Sequence, residues 1–348
     1  MKKVLLIALS VIFVNLQAKT PEDYKYPGFP TPAQYWIQKA LDSSGSCELL
    51  PHTYPVTGTI ILKDNNSISG AGTASKLGTL YDIVLLDVQG NNVTIKDLFL
   101  YGFGGANDQI GIKIQGNESY NRYGNKITNV VFDQFKTAGL YVYHNTSALQ
   151  GTVTLLNCTA RGCGVGFWCD TRGEYCTFVA CSANQCESGF RNKGGNNSLI
   201  GGVYSLNTIG IELLGGENDG HCIADGVLIN HNNSYAVKAV GLQNGYEFSS
   251  CPINYGKIKL VNSPGIRFND CPIYTTDSIH TNSSTCYFKG CIFSVTPSVF
   301  SGFSFIDCRF SISLPGAYFE ELNTPALRSA NGTIYKIKVE NDGTLTTY

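Results

Sequence analysis

The chain has 348 residues, enough for one large domain or two ordinary ones. Its formal net charge is −1 and charged residues make up only 15% of it, so it carries no strong field for nucleic acid or an anionic membrane. With 38 Gly, 20 Tyr, 18 Phe and a single Met, the composition disfavours helices and suits many short strands joined by tight turns.

The first residues read as a secretory leader, residues 1–18. Lys2 and Lys3 form a basic start, residues 4–16 an apolar stretch too short for a membrane span, and Leu16-Gln17-Ala18 a cleavage site. An uncleaved anchor is the alternative. No later stretch is long and apolar enough to span a bilayer, so the expected location is secreted, periplasmic or cell-surface.

Residues 37–42 (IQKALD) make an amphipathic helical turn. Residues 49–62 follow with a Pro51-initiated bend and a strand of alternating apolar residues, and Ser67-Ile68-Ser69-Gly70-Ala71-Gly72 ends in a Gly-x-Gly corner. Further on, residues 157–167 (NCTARGCGVGF) repeat as residues 180–190 (ACSANQCESGF), and residues 203–211 (VYSLNTIGI) continue the series with a shorter turn. Tyr175-Cys176 and His221-Cys222 lie two repeats apart. The chain therefore reads as coils of about 22 residues, each with a Gly-apolar-x-apolar strand, an Asn- and Gly-rich corner and a second strand. The Gly strands are placed at Gly111, Gly139, Gly166, Gly189, Gly210, Gly245 and Gly265. One coil cannot bury its apolar face alone, but stacked coils build a continuous core.

In order and in residues 33–75, the chain resembles the N-terminal cap and first coil of the pectate-lyase-like superfamily, which includes phage tailspikes and secreted polysaccharide-processing proteins. The resemblance implies an all-β fold: a right-handed single-stranded parallel β-helix, or solenoid, with an N-terminal helical cap. It assigns residues 19–311 to the helix. Residues 312–348 change character and include the alternating run IYKIKV at 334–339, so a cap or subunit contact is expected there. A homo-oligomer is left open.

Thirteen cysteines in an exported chain normally signal disulfides. Here Cys158 and Cys181, Cys163 and Cys186, and Cys251, Cys271 and Cys291 recur at the repeat length, which predicts buried thiols stacked one above another. Zinc is not expected, because paired CxxC sets are missing and His is scarce. Nine Asn-x-Ser/Thr sequences occur, but they follow from Asn-rich corners, and Asn157 is placed in the interior ladder, so glycosylation is not inferred.

Side chains on a strand alternate in and out, so the x residue of each Gly strand faces solvent. Read up the stack, this gives Lys113, Tyr141, Trp168, Arg191, Glu212, Glu247 and Arg267, with Lys238 among the last three. A second column gives Gln115, Tyr143, Asp170, Lys193, Leu214, Ser249 and Asn269. Tyr141, Tyr143 and Trp168 suit stacking on sugar rings, and Lys193 suits hydroxyls or carboxylates. The alternative is a solvated ladder of cross-strand pairs such as Arg191 with Glu212.

For hydrolysis, Asp170 and Glu212 lie two coils or about 10 Å apart, compatible with an inverting carboxyl pair and poor for retention. For a lyase, Arg191 or Lys193 would take the proton beside a uronate carboxylate, often with calcium; otherwise no cofactor is required. His221, in the run Glu217-Asn218-Asp219-Gly220-His221, reads as an acid or base, or as part of a polar turn with an Asx cap. The Asn-Thr-Asp, Asp-Asp, Gly-His-Gly and Arg-Ile-Lys elements of the superfamily's pectin hydrolases are not present; Gly220-His221 is followed by Cys222. The Arg-x-x-Pro-x-x-Arg element of calcium pectate lyases is missing too, so no family catalytic residue carries over. Two functions follow: a secreted carbohydrate-active protein that binds, and as a hydrolase or lyase cleaves, an acidic polysaccharide; or a non-catalytic adhesin, glycan binder or spike-like protein.

Overall fold

The computed structural model of the chain describes residues 19–24, 32–103, 108–116, 123–144, 152–216, 218–274, 279–282, 286–293 and 303–310, and four short strands beyond. The expected leader lies outside the described residues, as does Glu217. Helix Ala33–Ser44 opens the fold. It buries Trp36, Ile37, Ala40 and Leu41, spaced for one helical face, and Gly45 ends it in a left-handed cap whose N–H reaches the Leu41 carbonyl. Among the described residues no helix is long and apolar enough to cross a membrane.

Behind that cap the chain winds into a right-handed parallel β-helix, as the sequence predicts. Ten strands, from Ile60–Leu62 to Ile279–Asn282, pair in parallel into one sheet. A 22-stranded sheet supplies the rest of each coil. That larger sheet bends at a column of left-handed residues, among them Asp97, Asn129, Asn157, Ala180, Gly201, Gly226, Ser250, Asp270 and Gly290. Asn and Asp tolerate this conformation and hydrogen-bond locally. Asn129 Nδ2 donates to Asp97 and Asn157 Nδ2 to Asn129, at 2.8 and 2.9 Å. Asn157 is therefore exposed on this corner, not interior as the repeat suggested.

The glycine column has a packing cause. At Gly111, Gly139, Gly166, Gly189 and Gly210 an added Cβ would meet, within 2.5–2.8 Å, a carbonyl oxygen of the next coil. It would also strike interior side chains such as Phe132, Ala183 and Tyr204. Each glycine thus points inward beside an inward apolar residue, and no side chain fits. The column ends at Ala236, where the register shifts between Tyr235 and Val237.

Gly245 and Gly265 therefore do not extend it. Strands Tyr246–Ser249 and Ile266–Asn269 belong to the larger sheet, so Glu247, Arg267, Ser249 and Asn269 leave the predicted columns. Lys238 and Lys259 take the outward places above Glu212. The misreading had a visible remedy: Phe248 and Phe268 stand three residues before Cys251 and Cys271, as Leu155 and Phe178 do before Cys158 and Cys181.

All thirteen cysteines are free thiols, twelve of them buried. Beside them Phe248, Phe268 and Phe288 stack face to face at 4.8 and 4.9 Å with 8° between planes. That separation matches the strand spacing of about 4.8 Å. Phe268 is fully buried between its two copies, so Phe268→Ala is expected to cost about 3–5 kcal/mol in a urea unfolding measurement. Beyond residue 310, strands Tyr318–Glu320, Ala326–Arg328, Ile334–Val339 and Leu345–Thr347 form a separate four-stranded sheet with antiparallel pairs. The run at 334–339 is thus a strand, as its alternation predicts.

Candidate functional site: the outer face of the ten-stranded sheet

The register of the ten-stranded sheet sets Lys113, Tyr141, Trp168, Arg191, Glu212, Lys238 and Lys259 in one line across successive coils. The five lower members are as predicted, and Lys238 joins them. Lys259 was missed, although the alternation of Lys257-Ile258-Lys259-Leu260 marks it as outward. Gln115 and Tyr143 pair in the second column. Asp170 and Lys193 follow the ends of strands Val165–Cys169 and Ser188–Asn192.

The lower half of the line is aromatic. The Tyr141 ring meets the edge of Trp168 at 4.9 Å and lies nearly parallel to Tyr143 at 6.0 Å. The Arg191 guanidinium sits 5.1 Å from the Trp168 ring. Trp168 is therefore flanked by a phenol and a cation, which fixes its plane.

The Tyr141 hydroxyl donates to Asp170 Oδ2 at 2.9 Å, and the Thr171 N–H donates to Oδ1 at 2.8 Å. Lys193 Nζ approaches Oδ1 at 3.9 Å, with the lysine side chain 39% and the aspartate 16% exposed. Burial first, and then the Asp170 charge, push the Tyr141 phenol well above its ordinary range. It stays protonated at neutral pH and acts as a hydrogen-bond donor.

Glu212 behaves differently. Its side chain is 6% exposed, and it accepts from Arg191 Nε at 2.7 Å, Lys238 Nζ at 2.8 Å and Ser188 Oγ at 2.7 Å. Burial alone would raise its pKa. The bonds from Lys238 and Ser188 and the Arg191 charge outweigh it and hold the carboxyl below its usual range. A carboxylate so engaged is a poor proton donor and a poor base for water. Arg191 is equally committed, and a guanidinium does not give up its proton in proteins. The predicted pairing of Arg191 with Glu212 is present, but as a half-buried knot and not a solvated ladder. In this arrangement Asp170 is the carboxylate with room for chemistry, Lys193 the adjacent cation, and Arg191, Glu212 and Lys238 a scaffold.

His221 is not brought to this face. It is exposed and occupies a left-handed corner with Tyr175 and Asn196, ahead of strand Cys222–Asp225 in the larger sheet. The turn reading fits the neighbouring Asp219. That carboxylate is buried and accepts from the backbone N–H of Gly216, Gln243 and Asn244 at 3.0, 2.9 and 3.1 Å, tying two successive corners.

Glu174 went unnoticed in sequence, for nothing in its surroundings marks it. It is buried in the loop after Asp170, and its Oε2 accepts from Asn218 at 2.7 Å and Asn196 at 3.4 Å. Burial raises its pKa against the opposing amides and the Arg172 charge. Among the described residues no three His, Cys, Asp or Glu side chains converge on one point. For the calcium of the lyase reading, Asp170 would be the ligand beside Lys193, and its oxygens already accept from Tyr141 and Thr171.

No family profile matches the chain, and no curated protein matches it in sequence. Among solved structures it is similar to tailspike protein 2 of an Escherichia coli O157:H7 bacteriophage, at 15% identity and a TM-score of 0.66, over 84% of this chain and 46% of that one. It is also similar to the A-module of mannuronan C-5 epimerase AlgE4 of Azotobacter vinelandii, at 16% identity and a TM-score of 0.56, over 84% and 95%. A third is the catalytic unit of a GH87 α-1,3-glucanase from Streptomyces thermodiastaticus, at 14% identity and a TM-score of 0.62, over 84% and 68%. The chain spans less than half the length of the full tailspike. What it shares with all three is the right-handed parallel β-helix.

Proposed function

We propose that this is an exported carbohydrate-active β-helix protein that binds an acidic polysaccharide along its ten-stranded face and cleaves it there. The carrying observation is the line Tyr141, Trp168, Arg191, Glu212, Lys238 and Lys259, with Asp170 and Lys193 beside it on the same outer face. The aromatic half suits sugar rings. The upper half and its flank carry Arg191, Lys193, Lys238 and Lys259 against the two carboxylates of Glu212 and Asp170, an excess of positive charge that suits a glycan with carboxylates. Neighbouring coils stand about 4.8 Å apart, so a chain running along the axis meets a new row of side chains at each coil.

For the chemistry, the local geometry favours proton transfer at Asp170 over a two-carboxyl hydrolysis, because Glu212 is tied up. Lys193 neutralises the substrate carboxylate, Tyr141 orients Asp170, and Asp170 takes the proton beside that carboxylate. As it does so the bond to the glycosidic oxygen breaks, the oxygen leaves with a proton from solvent, and a double bond forms. The two readings differ in product. Incubation with a panel of uronate-containing polysaccharides is expected to release unsaturated, ultraviolet-absorbing ends, whereas hydrolysis gives reducing ends without unsaturation. Trp168→Ala is expected to weaken retention on the same polysaccharides about tenfold or more, measured by affinity electrophoresis.

A second reading, a non-catalytic glycan binder or adhesin, draws support from the same engaged state of Glu212. It predicts retention that depends on Trp168 with no product of either kind. Neither retention nor product on the panel would overturn both.

A further inference from the structure

The thiols at Cys251, Cys271, Cys291 and Cys308 form the most regular cluster outside the glycan-facing line. Paired strands fix their register on both sides. Phe248, Phe268, Phe288 and Phe305 align three residues before them, and Ile253, Ile273, Phe293 and Phe310 two residues after. Each sulfur adopts the same pose, facing a carbonyl of the coil below and one of its own coil. Cys251 faces Ala224 and Ser249 at 3.3 and 3.2 Å, and Cys271 faces Phe248 and Asn269 at 3.4 and 3.3 Å. Cys291 faces Phe268 and Lys289 at 3.2 and 3.5 Å, and Cys308 faces Phe288 and Ile306 at 3.3 and 3.4 Å. The paired strands set neighbouring sulfurs of the column one coil apart.

We propose that this column binds a soft monovalent metal ion, Cu(I), held linearly between sulfurs of adjacent coils, with one ion between Cys251 and Cys271 and one between Cys291 and Cys308. The spacing supports this. Two metal–thiolate bonds of about 2.3 Å laid end to end span about 4.6 Å, close to the ~4.8 Å rise from coil to coil. A tetrahedral ion would need ligands from several directions, and no three ligating side chains converge among the described residues. A straight column offers pairs, which suits a two-coordinate ion, and thiolate softness selects Cu(I) over harder ions.

The balance at each pair is simple. Both S–H bonds break and their protons go to solvent, and two Cu–S bonds form, one to each thiolate. Each unit then carries one negative charge and no oxidation state changes. Cys308 is half-buried at the top of the column, where the others are buried, and it provides the way in.

This inference is independent of the glycan reading. Full-length protein, purified reduced and kept anaerobic, is titrated with Cu(I) delivered as its bicinchoninate complex, and metal per chain is counted by native mass spectrometry. The protein is expected to withdraw Cu(I) from the chelator. The C271S/C291S variant should hold two ions fewer, and C158S/C163S should keep the column's two. Cys308→Ser alters only the half-buried end, so it tests the column even where the double variant fails to fold, and it should lose one ion. Cu(I) left on the chelator, counts unchanged by Cys271, Cys291 and Cys308, or a column already oxidised to disulfides in the purified protein would each overturn the proposal.

Discussion

Asp170→Asn is expected to lower turnover of a susceptible polysaccharide by about 10²–10⁴-fold, the usual weight of one acid–base group. Retention of that polysaccharide should change little. The amide keeps the size of the carboxylate and one oxygen for the Thr171 N–H or the Tyr141 hydroxyl, both of which now bond Asp170. The measurement is initial rate and affinity on the same preparation, with circular dichroism to show an intact fold. Unchanged turnover would remove Asp170 from the chemistry and leave the face a binding surface.

Removing the Glu212 carboxylate should have the largest effect on stability of any change on this face. Glu212→Ala strands Arg191 and Lys238, both less than a third exposed, without their shared partner. Breaking such a knot costs about 3 kcal/mol, the low end for buried pairs because both cations keep some water. Glycan affinity should fall as well, since Arg191 would no longer be held against Trp168. The pH dependence has a definite sign. The folded-state pKa of Glu212 is depressed, so its contribution is fully present above the unfolded value of about 4.3 and is lost as pH falls through the lower folded value. Denaturation midpoints measured from about pH 6 down to pH 3 should drop in the native protein. Glu212→Gln should flatten that limb; an identical limb in both would show that Glu212 does not carry it.

Much of this organisation could be read from residue order. Equal spacing of Cys158 with Cys181 and of Cys163 with Cys186 is enough to reveal vertical neighbours, because a solenoid turns sequence period into contact. Outward positions followed from the two-residue alternation of strands, which is why Tyr141, Trp168, Arg191 and Glu212 came out in line. Gly245 and Gly265 defeated the reading because Gly-apolar-x-apolar occurs on both sheets. Gly166 and Gly245 would both bring a Cβ to 2.5 Å from a carbonyl oxygen of the next coil. What separates them is that at Gly166 it would also strike the inward Ala183 and Ala160, while at Gly245 its nearest neighbours are all Gly265 backbone.

The state of Glu212 was also beyond sequence. Its partners come from the coils on either side, Ser188 and Arg191 from one strand and Lys238 from the next coil, and whether two cations close on one carboxylate depends on rotamers and burial. His221 drew attention by residue type, yet it sits at a corner that requires a left-handed backbone, which histidine visits more readily than most residues.

Twelve buried sulfurs without a single bond between them leave the coils with no covalent cross-link. Under a tensile load applied at the C-terminal side, nothing covalent would spread the force inward. The solenoid would peel from that end one winding at a time, each rupture freeing about 20 residues and so roughly 70 Å of slack. Its extension trace would be a staircase of near-equal steps through the Phe248–Phe288 region, and less even toward the N-terminal side, where the windings differ more in length.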